Sequence, residues 1–322
     1  MGKKLEVAFI FPGQGEQFPS MGKDFFDHFS IAKETFEEAE EILSMKISDV
    51  VFYGTMENLT KTIHCQPAIF ITSIAIMRVI LQQFPELKPD ICAGLSLGEY
   101  SALCAANALS FKDALRLLHH RAKYIHEACE KTDGAMAAVL GLEEEKVNES
   151  ITQLQAKGES IWVANYNCPG QIVISGTKKA LEKAMTSLKE KGAKRVIPLA
   201  VAGAFHSGLM KEAEDKLKTV VNEVKIQPSS VPVVMNYSGE IVTDEKEMKD
   251  QLVKQVSGSV RWEKGIRTMS EKGCKLFIEI GPGRVLTNLN KKIGTDATCI
   301  SIGKISDLDI LAEHLNALKT LV

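Results

Sequence analysis

The stretch ICAGLSLGEY at residues 91–100 decides the fold that this sequence predicts. Its first five residues are apolar, which suits a short strand buried in a parallel sheet. The pattern GxSxG follows, with Ser96 between Gly94 and Gly98, and the chain then turns helical. Glycines flank such a serine because side chains there would clash in so tight a turn. We expect the hydroxyl to stand above the sheet edge, with the next amide, on Leu97, placed to donate to an oxyanion.

A second motif, FPGQGEQ at residues 11–17, follows an apolar run that begins at Val7. The run suits another strand buried on both faces of a parallel sheet, so both motifs should lie at the same sheet edge. Ligands bind at that edge in open α/β sheets. The backbone amide of Gln14 is therefore a candidate for a second oxyanion donor. The alternative is a loop whose glycines and proline serve geometry only.

The segment from 135 to 200 can be parsed by itself. It reads as strand, helix, two strands joined by a hairpin, helix and strand, which is the βαββαβ order of a ferredoxin-like unit. On both sides of it the α/β pattern holds, with a helical segment expected roughly over 22–43. The predicted fold class is α/β: a large domain with a parallel sheet, formed by 1–132 and 203–322, interrupted by a small inserted domain, 133–202. We expect the substrate in the cleft between them.

Composition narrows the function classes. Lys and Arg number 39 against 41 Asp and Glu, so a net charge of -2 gives no general attraction for nucleic acid. Seven scattered cysteines without CxxC spacing fit reduced thiols in the cytoplasm. The longest apolar stretch, 68–81, contains Arg78 and is too short to cross a bilayer, so a buried helix is expected and no membrane partner.

Two further side chains are candidates for chemistry. His206 lies in GAFHSG at 203–208, where the predicted insert ends and a helix begins, and is a candidate base for Ser96 or simply a structural histidine. Arg121 lies in the middle of a predicted helix, and its spacing alone indicates a solvated face. The other histidines have no cysteine or carboxylate spacing that predicts a metal site.

Five motifs in order resemble the malonyl-coenzyme A:acyl carrier protein transacylases of fatty acid synthesis and the related acyltransferase domains of polyketide synthases. The motifs are FPGQGEQ at 11–17, GLSLGEYSAL at 94–103, LHHR at 118–121, GAFHS at 203–207 and IEIGPGRVL at 278–286. The resemblance runs from residue 11 to about residue 293, nearly the whole chain. It implies an α/β-hydrolase-like core with a ferredoxin-like insert.

The resemblance also implies roles. Ser96 becomes the nucleophile and His206 the base, and the amides of Gln14 and Leu97 form the oxyanion hole. The Arg121 guanidinium would hold the free carboxylate of a malonyl group, for which its planar fork is suited. The backbone carbonyl of Gln255, rather than an acid, would orient the histidine.

Weaker transfers from the family concern four more residues. Gln66, Asn165 and Arg195 become secondary substrate contacts, Arg195 by reaching a phosphate of coenzyme A. Phe205 resembles the bulky residue of malonyl-selective members and should disfavour a methyl branch. The implied substrates are malonyl-CoA and the phosphopantetheine thiol of acyl carrier protein, with no metal or other cofactor, on a monomer.

Three positions depart from the commonest family pattern, namely Leu95, Glu16 and Ser259. Ser259 leaves the position of the Gln255 carbonyl open, and Leu95 could alter the lifetime of an acyl-enzyme. Three alternative functions stay open: a stand-alone polyketide synthase acyltransferase, a thioesterase or esterase, and a non-catalytic scaffold. The presence of Ser96, His206 and Arg121 together argues against the scaffold.

Overall fold

The computed structural model describes residues 6–229 and 231–320, which form two β-sheets and the helices that cover them. The strands in this part of the chain are β1 (Val7–Phe11), β2 (Ile91–Gly94), β3 (Gly134–Leu140), β4 (Ile161–Cys168), β5 (Gln171–Thr177), β6 (Arg195–Pro198), β7 (Val233–Met235), β8 (Glu240–Val242), β9 (Val260–Arg261), β10 (Leu276–Ile280) and β11 (Thr298–Ile302). The helices are α1 (Lys23–His28), α2 (Ser30–Leu43), α3 (Ile47–Tyr53), α4 (Met56–Thr60), α5 (Thr62–Gln83), α6 (Gly98–Ala105), α7 (Phe111–Lys131), α8 (Glu144–Ala156), α9 (Lys178–Glu190), α10 (Lys211–Glu223), α11 (Glu245–Lys254), α12 (Trp262–Glu271), α13 (Val285–Ile293) and α14 (Asp307–Thr320).

The larger sheet has the strand order β11-β10-β1-β2-β7-β8. Its strands run parallel except β8, which pairs antiparallel with β7. Two clusters of buried apolar side chains cover its two faces, as expected of a parallel sheet between helices. The predicted α/β class with a parallel sheet is confirmed. Because Phe11 of β1 pairs with Gly94 of β2, the two glycine-containing motifs meet at one sheet edge.

The smaller sheet has the order β6-β3-β5-β4-β9. Its first four strands are antiparallel neighbours in the 4-1-3-2 arrangement of a βαββαβ unit, and α8 and α9 contribute to an apolar cluster of its own. Strand β9 comes from much later in the chain and pairs parallel with β4 at the positions of Asn165 and Val260. A division into domains at 132/133 and 202/203 stays a prediction.

Helix α5 is long and apolar enough to cross a membrane by length and composition alone. In the structure, 83% of its most apolar window is buried inside the protein. Its side chains belong to the largest apolar cluster, against α2 and α7. The helix is therefore part of the core, as the sequence predicted for residues 68–81.

The helical segment predicted roughly over 22–43 consists of two helices, α1 and α2. Phe29 adopts an extended conformation, with φ -123° and ψ 121°, and separates α1 from α2. Its amide bonds to the carbonyl of Phe25 and the two rings stack with centroids 6.1 Å apart. The apolar period continues across the break at Phe29, so the sequence pattern does not show where the helix is interrupted. The packing of the two rings in the tertiary structure determines it.

Candidate active site

Ser96 lies on a strained turn between β2 and α6. Its φ is +54°, in the left-handed region that non-glycine residues rarely adopt. A Cβ on Gly94 would come within 2.0 Å of the Gly98 carbonyl oxygen, and one on Gly98 within 2.3 Å of the carbonyl oxygen of Phe11. Only glycine fits at these two positions, because both clashes are with backbone. The turn therefore presents the serine hydroxyl at the carboxyl edge of the large sheet.

His206 contacts this hydroxyl from the loop between β6 and α10. Its Nε2 is 2.8 Å from Ser96 Oγ, and its Nδ1 is 2.7 Å from the backbone oxygen of Gln255. A carbonyl oxygen can only accept, so Nδ1 carries the proton and Nε2 of the neutral ring is free to accept one. Burial, followed by the charge of Arg121, lowers the pKa of His206 to about 4. The ring is thus neutral, and able to act as a base, at pH 7.

This pKa predicts the acid limb of the reaction. The rate at which Ser96 is acylated is expected to stay nearly constant from pH 7 to about pH 5 and to fall about tenfold per pH unit below about pH 4, because protonated Nε2 cannot accept a proton. Rapid-quench labelling across this range, with circular dichroism to confirm folding at each pH, measures it. An inflection near the ordinary histidine pKa of about 6.5 would contradict the burial argument.

Arg121 of α7 is 2% exposed, so it does not lie on the solvated face that its spacing indicated. Its Nη1 donates to Gln66 Oε1 at 2.6 Å, and its Nη2 donates to Ser96 Oγ and to Gln255 Oε1, each at 2.9 Å. The buried Nε has no acceptor among the described residues. The guanidinium therefore has one nitrogen, Nε, without a partner, and a buried unpaired donor favours an anionic or carbonyl ligand.

These groups face one cavity of about 270 Å³. The predicted site residues that line it are Gln14, Gln66, Ser96, Leu97, Arg121, Asn165, Phe205 and His206. Two predicted residues do not line it. Gln255 lies just behind, fully buried, and Arg195 is exposed on β6 at the edge of the smaller sheet. The structure thus brings eight of the ten predicted residues to one cavity and places a ninth, Gln255, directly behind it.

Two residues behind the turn were missed from the sequence. Glu99, on α6, is fully buried, and Asn236 follows β7. Asn236 Oδ1 accepts from the Ser96 amide and its Nδ2 donates to the Gly94 carbonyl oxygen, both at 2.6 Å. A charged residue within the apolar run of α6 was the available signal for Glu99, whereas nothing local marked Asn236.

Comparison with known proteins agrees with this geometry. The model of the acyl transferase domain family matches residues 8–309. The malonyl CoA-acyl carrier protein transacylase of Bacillus subtilis (strain 168) is 44% identical over 312 residues, covering 96% of this chain and 97% of that protein. The chain belongs to the malonyl CoA-acyl carrier protein transacylase family.

Solved structures of this transacylase family share the fold. The transacylase of Clostridium perfringens has a TM-score of 0.93 at 37% identity, over 98% of this chain and 99% of that one. A malonyl-transacylase in complex with its type II PKS acyl-carrier protein has a TM-score of 0.92 at 38% identity, over 96% of this chain and 99% of that one. These similarities cover both sheets of the present chain.

The three departures from the common transacylase pattern can now be placed. Leu95 and Glu16 line the cavity, and a Glu16 carboxylate oxygen accepts from the Arg284 amide at 2.9 Å, so it joins the loops after β1 and β10. Ser259 Oγ donates to the Val163 carbonyl oxygen at 2.6 Å. The Gln255 carbonyl, whose position Ser259 had left open, lies within hydrogen-bonding distance of the histidine.

Proposed function

We propose that this protein transfers the malonyl group of malonyl-CoA to the phosphopantetheine thiol of an acyl carrier protein in fatty acid synthesis, through an ester on Ser96. The observation that carries the proposal is the position of Ser96 Oγ, 2.8 Å from His206 Nε2 and 2.9 Å from Arg121 Nη2. A neutral base and a fixed cation on one hydroxyl suit a nucleophile whose substrate bears both a thioester and a carboxylate.

The first half-reaction forms the malonyl ester. Ser96 Oγ attacks the thioester carbonyl while His206 Nε2 takes the hydroxyl proton, and the amides of Gln14 and Leu97 would stabilise the oxyanion. When the carbon–sulfur bond breaks, His206 returns the proton to the thiol of coenzyme A. The second half-reaction reverses these steps with the carrier thiol as nucleophile.

Arg121 would supply selectivity for the malonyl group. Its Nη2 already contacts Ser96 Oγ and its Nε has no acceptor among the described residues, so a carboxylate next to the serine ester could receive two parallel hydrogen bonds. Gln66 would hold the guanidinium through its contact with Nη1. An acetyl group offers no carboxylate to this buried cation and leaves its Nε unpaired, which is unfavourable.

Replacement of Arg121 by alanine is expected to slow malonyl transfer roughly tenfold to hundredfold more than acetyl transfer. This ratio corresponds to the free energy that a hydrogen bond to a charged group contributes. Steady-state rates with malonyl-CoA and acetyl-CoA measure this ratio. Arg78→Ala is the matched control, because Arg78 also bonds a carboxylate, that of Glu38, and packs on an aromatic ring away from the cavity. Equal losses with both acyl donors would place the carboxylate site elsewhere.

Labelling tests the function directly. Incubation with malonyl-CoA radiolabelled in the malonyl group, acid trapping and peptide mapping should place the label on Ser96. Addition of phosphopantetheinylated carrier protein should then remove it from the serine and transfer it to the carrier. Label on another residue, or rapid loss to water without a carrier, would contradict the proposal; the second result would favour a thioesterase.

A polyketide synthase carrier is the second candidate acceptor. It is favoured by the similarity to the malonyl-transacylase solved with its type II PKS acyl-carrier protein. The same pocket chemistry serves both carriers, so only rates with purified carriers of each pathway separate them. A fatty acid carrier should be the faster acceptor if the main proposal is right.

The remaining predicted contacts belong to the same proposal. Asn165, 9% exposed on β4, would contact the substrate from the smaller sheet, and Phe205 beside the base would exclude a methyl-branched acyl chain. Arg195 would reach a phosphate of coenzyme A outside the cavity. We place the reaction in the cytoplasm on a monomer, without metal or organic cofactor. Within residues 6–229 and 231–320, no group of three or more His, Cys, Asp or Glu side chains could hold a metal ion.

A further inference from the structure

Glu99 is a fully buried carboxyl group that takes no part in the proposed acyl transfer. It lies on the first turn of α6, below the serine, and does not line the cavity. Its Oε1 accepts from the backbone amide of Asn236 at 2.8 Å, and its Oε2 accepts from Gln255 Nε2. Asn236 and Gln255 come from separate parts of the chain, so one side chain joins two segments.

The first segment holds the nucleophile. Asn236 accepts from the Ser96 amide and donates to the Gly94 carbonyl oxygen. Both contacts are to backbone on either side of the strained turn, whose φ of +54° at Ser96 persists only if its surroundings hold it. The position of Asn236 therefore helps to fix the direction of the serine hydroxyl.

The second segment holds the base and the cation. The backbone oxygen of Gln255 accepts from His206 Nδ1, and its side-chain Oε1 accepts from Arg121 Nη2. Gln255 Nε2 donates to the Ser96 carbonyl oxygen at 2.9 Å as well as to Glu99. Both amide hydrogens and the amide oxygen of Gln255 are thus engaged, and the orientation of this amide depends on an acceptor at Glu99.

We propose that Glu99 is a positioning residue for acyl transfer, because its carboxyl group ties the segment that holds Ser96 to the segment that holds His206 and Arg121. The inference rests on the proposed function of the same site. It assigns Glu99 no contact with substrate and no proton transfer. Its effect is to keep nucleophile, base and cation at their mutual distances.

The electrostatics agree with a strongly constrained group. Burial raises the pKa of Glu99 to about 8, while the Asn236 amide, the Gln255 side chain and the charge of Arg121 each favour the ionised form. Both carboxyl oxygens accept hydrogen bonds in the observed arrangement. A side-chain amide at this position would turn a donor toward one of two donors, which is costly in a buried network.

The test is the reactivity of Ser96 toward a small fluorophosphonate, which needs neither malonyl-CoA nor carrier. Ser96 Oγ bonds to phosphorus, fluoride leaves and the hydroxyl proton passes to His206. We expect Glu99→Gln to react roughly tenfold to hundredfold more slowly per folded molecule. The same variant should slow acylation by malonyl-CoA and by acetyl-CoA by equal factors, unlike Arg121→Ala.

Glu279→Gln is the matched control. Glu279 is also fully buried, and its carboxylate accepts three hydrogen bonds from Leu286 and Thr287 at the start of α13. The variant suffers the same loss of an acceptor oxygen without touching the Ser96 network. It should be destabilised but react with the probe within about twofold of the parent, as independent sites do.

Two more variants keep the inference testable if Glu99→Gln does not fold. Glu99→Asp retains the carboxyl group but is too short to reach both partners, so it too should react more slowly. Asn236→Ala combined with Glu99→Asp should slow the reaction little more than the slower of the two single variants, since both changes break one network. Parent-like reactivity of folded Glu99→Gln or Glu99→Asp overturns the inference. Absence of malonyl-serine in the parent overturns the proposed function alone.

Discussion

Replacement of Ser96 by alanine is expected to abolish the malonyl-enzyme and to lower transfer to the carrier by on the order of 10⁶-fold, as removal of the nucleophile does in serine enzymes. The tight turn that Gly94 and Gly98 permit places this hydroxyl 2.8 Å from His206 Nε2. Acid-stable radiolabel on the protein and steady-state transfer rates measure the two effects. Alanine at the same φ carries the same backbone strain as serine, so the fold should survive.

Ser101→Ala provides the control for this variant. Ser101 is on the same helix, α6, is 1% exposed and its Oγ has no hydrogen-bond partner among the described residues. The same atom is removed five positions further along the chain, from a serine that is more deeply buried than Ser96. Labelling of Ser101→Ala should match the parent, whereas residual stoichiometric labelling of Ser96→Ala would identify another nucleophile.

The part of the fold that depends on local pattern was predictable. The apolar runs before 12 and before 96 end in glycine-containing turns, and both proved to be adjacent parallel strands of the large sheet. The βαββαβ order was equally visible, because three of its four strands have seven or eight residues and are long enough to show their period. Three strands were missed: β8 and β9 have three and two residues, too few for a pattern, and β11 has five.

The contacts that build the site were predictable only where a motif carried them. Ser96 and its neighbouring glycines form a motif of a few consecutive residues. Glu99, by contrast, contacts Asn236 and Gln255, which are 137 and 156 positions away in the sequence. No spacing rule reaches so far, so the apolar run around Glu99 could indicate burial of this glutamate but not its partners. The Gln255 carbonyl was expected from family resemblance, not from the residues around it.

The burial of Arg121 also could not be predicted from the sequence pattern. Its helix has a polar face by spacing, but α5, α6 and α10 pack around α7 and leave the guanidinium 2% exposed. Burial of a cation is unfavourable unless its hydrogen bonds are satisfied, and here three acceptors from separate elements supply most of them. A helical pattern predicts on which face of the helix a residue lies, whereas only the tertiary structure determines which residues contact it.

Replacement of His206 by asparagine is expected to slow acylation of Ser96 by roughly 10²- to 10⁴-fold, the contribution of a positioned general base. Asparagine suits the site because His206 has a φ of +54°, which Asn tolerates better than most residues. Its amide N–H can also replace Nδ1 as the donor to the Gln255 carbonyl. The variant therefore removes the basic nitrogen with little change to the fold, and rapid-quench labelling measures the loss.

The pH dependence separates loss of the base from misfolding. Without an imidazole, the acid limb near pH 4 should disappear, and the residual rate should rise with hydroxide because solvent must take the serine proton. His119→Asn on α7 is the control: burial lowers its pKa also, yet it does not line the cavity, so the rate and the acid limb should persist. An unchanged acid limb in His206→Asn would mean that another group accepts the proton from Ser96.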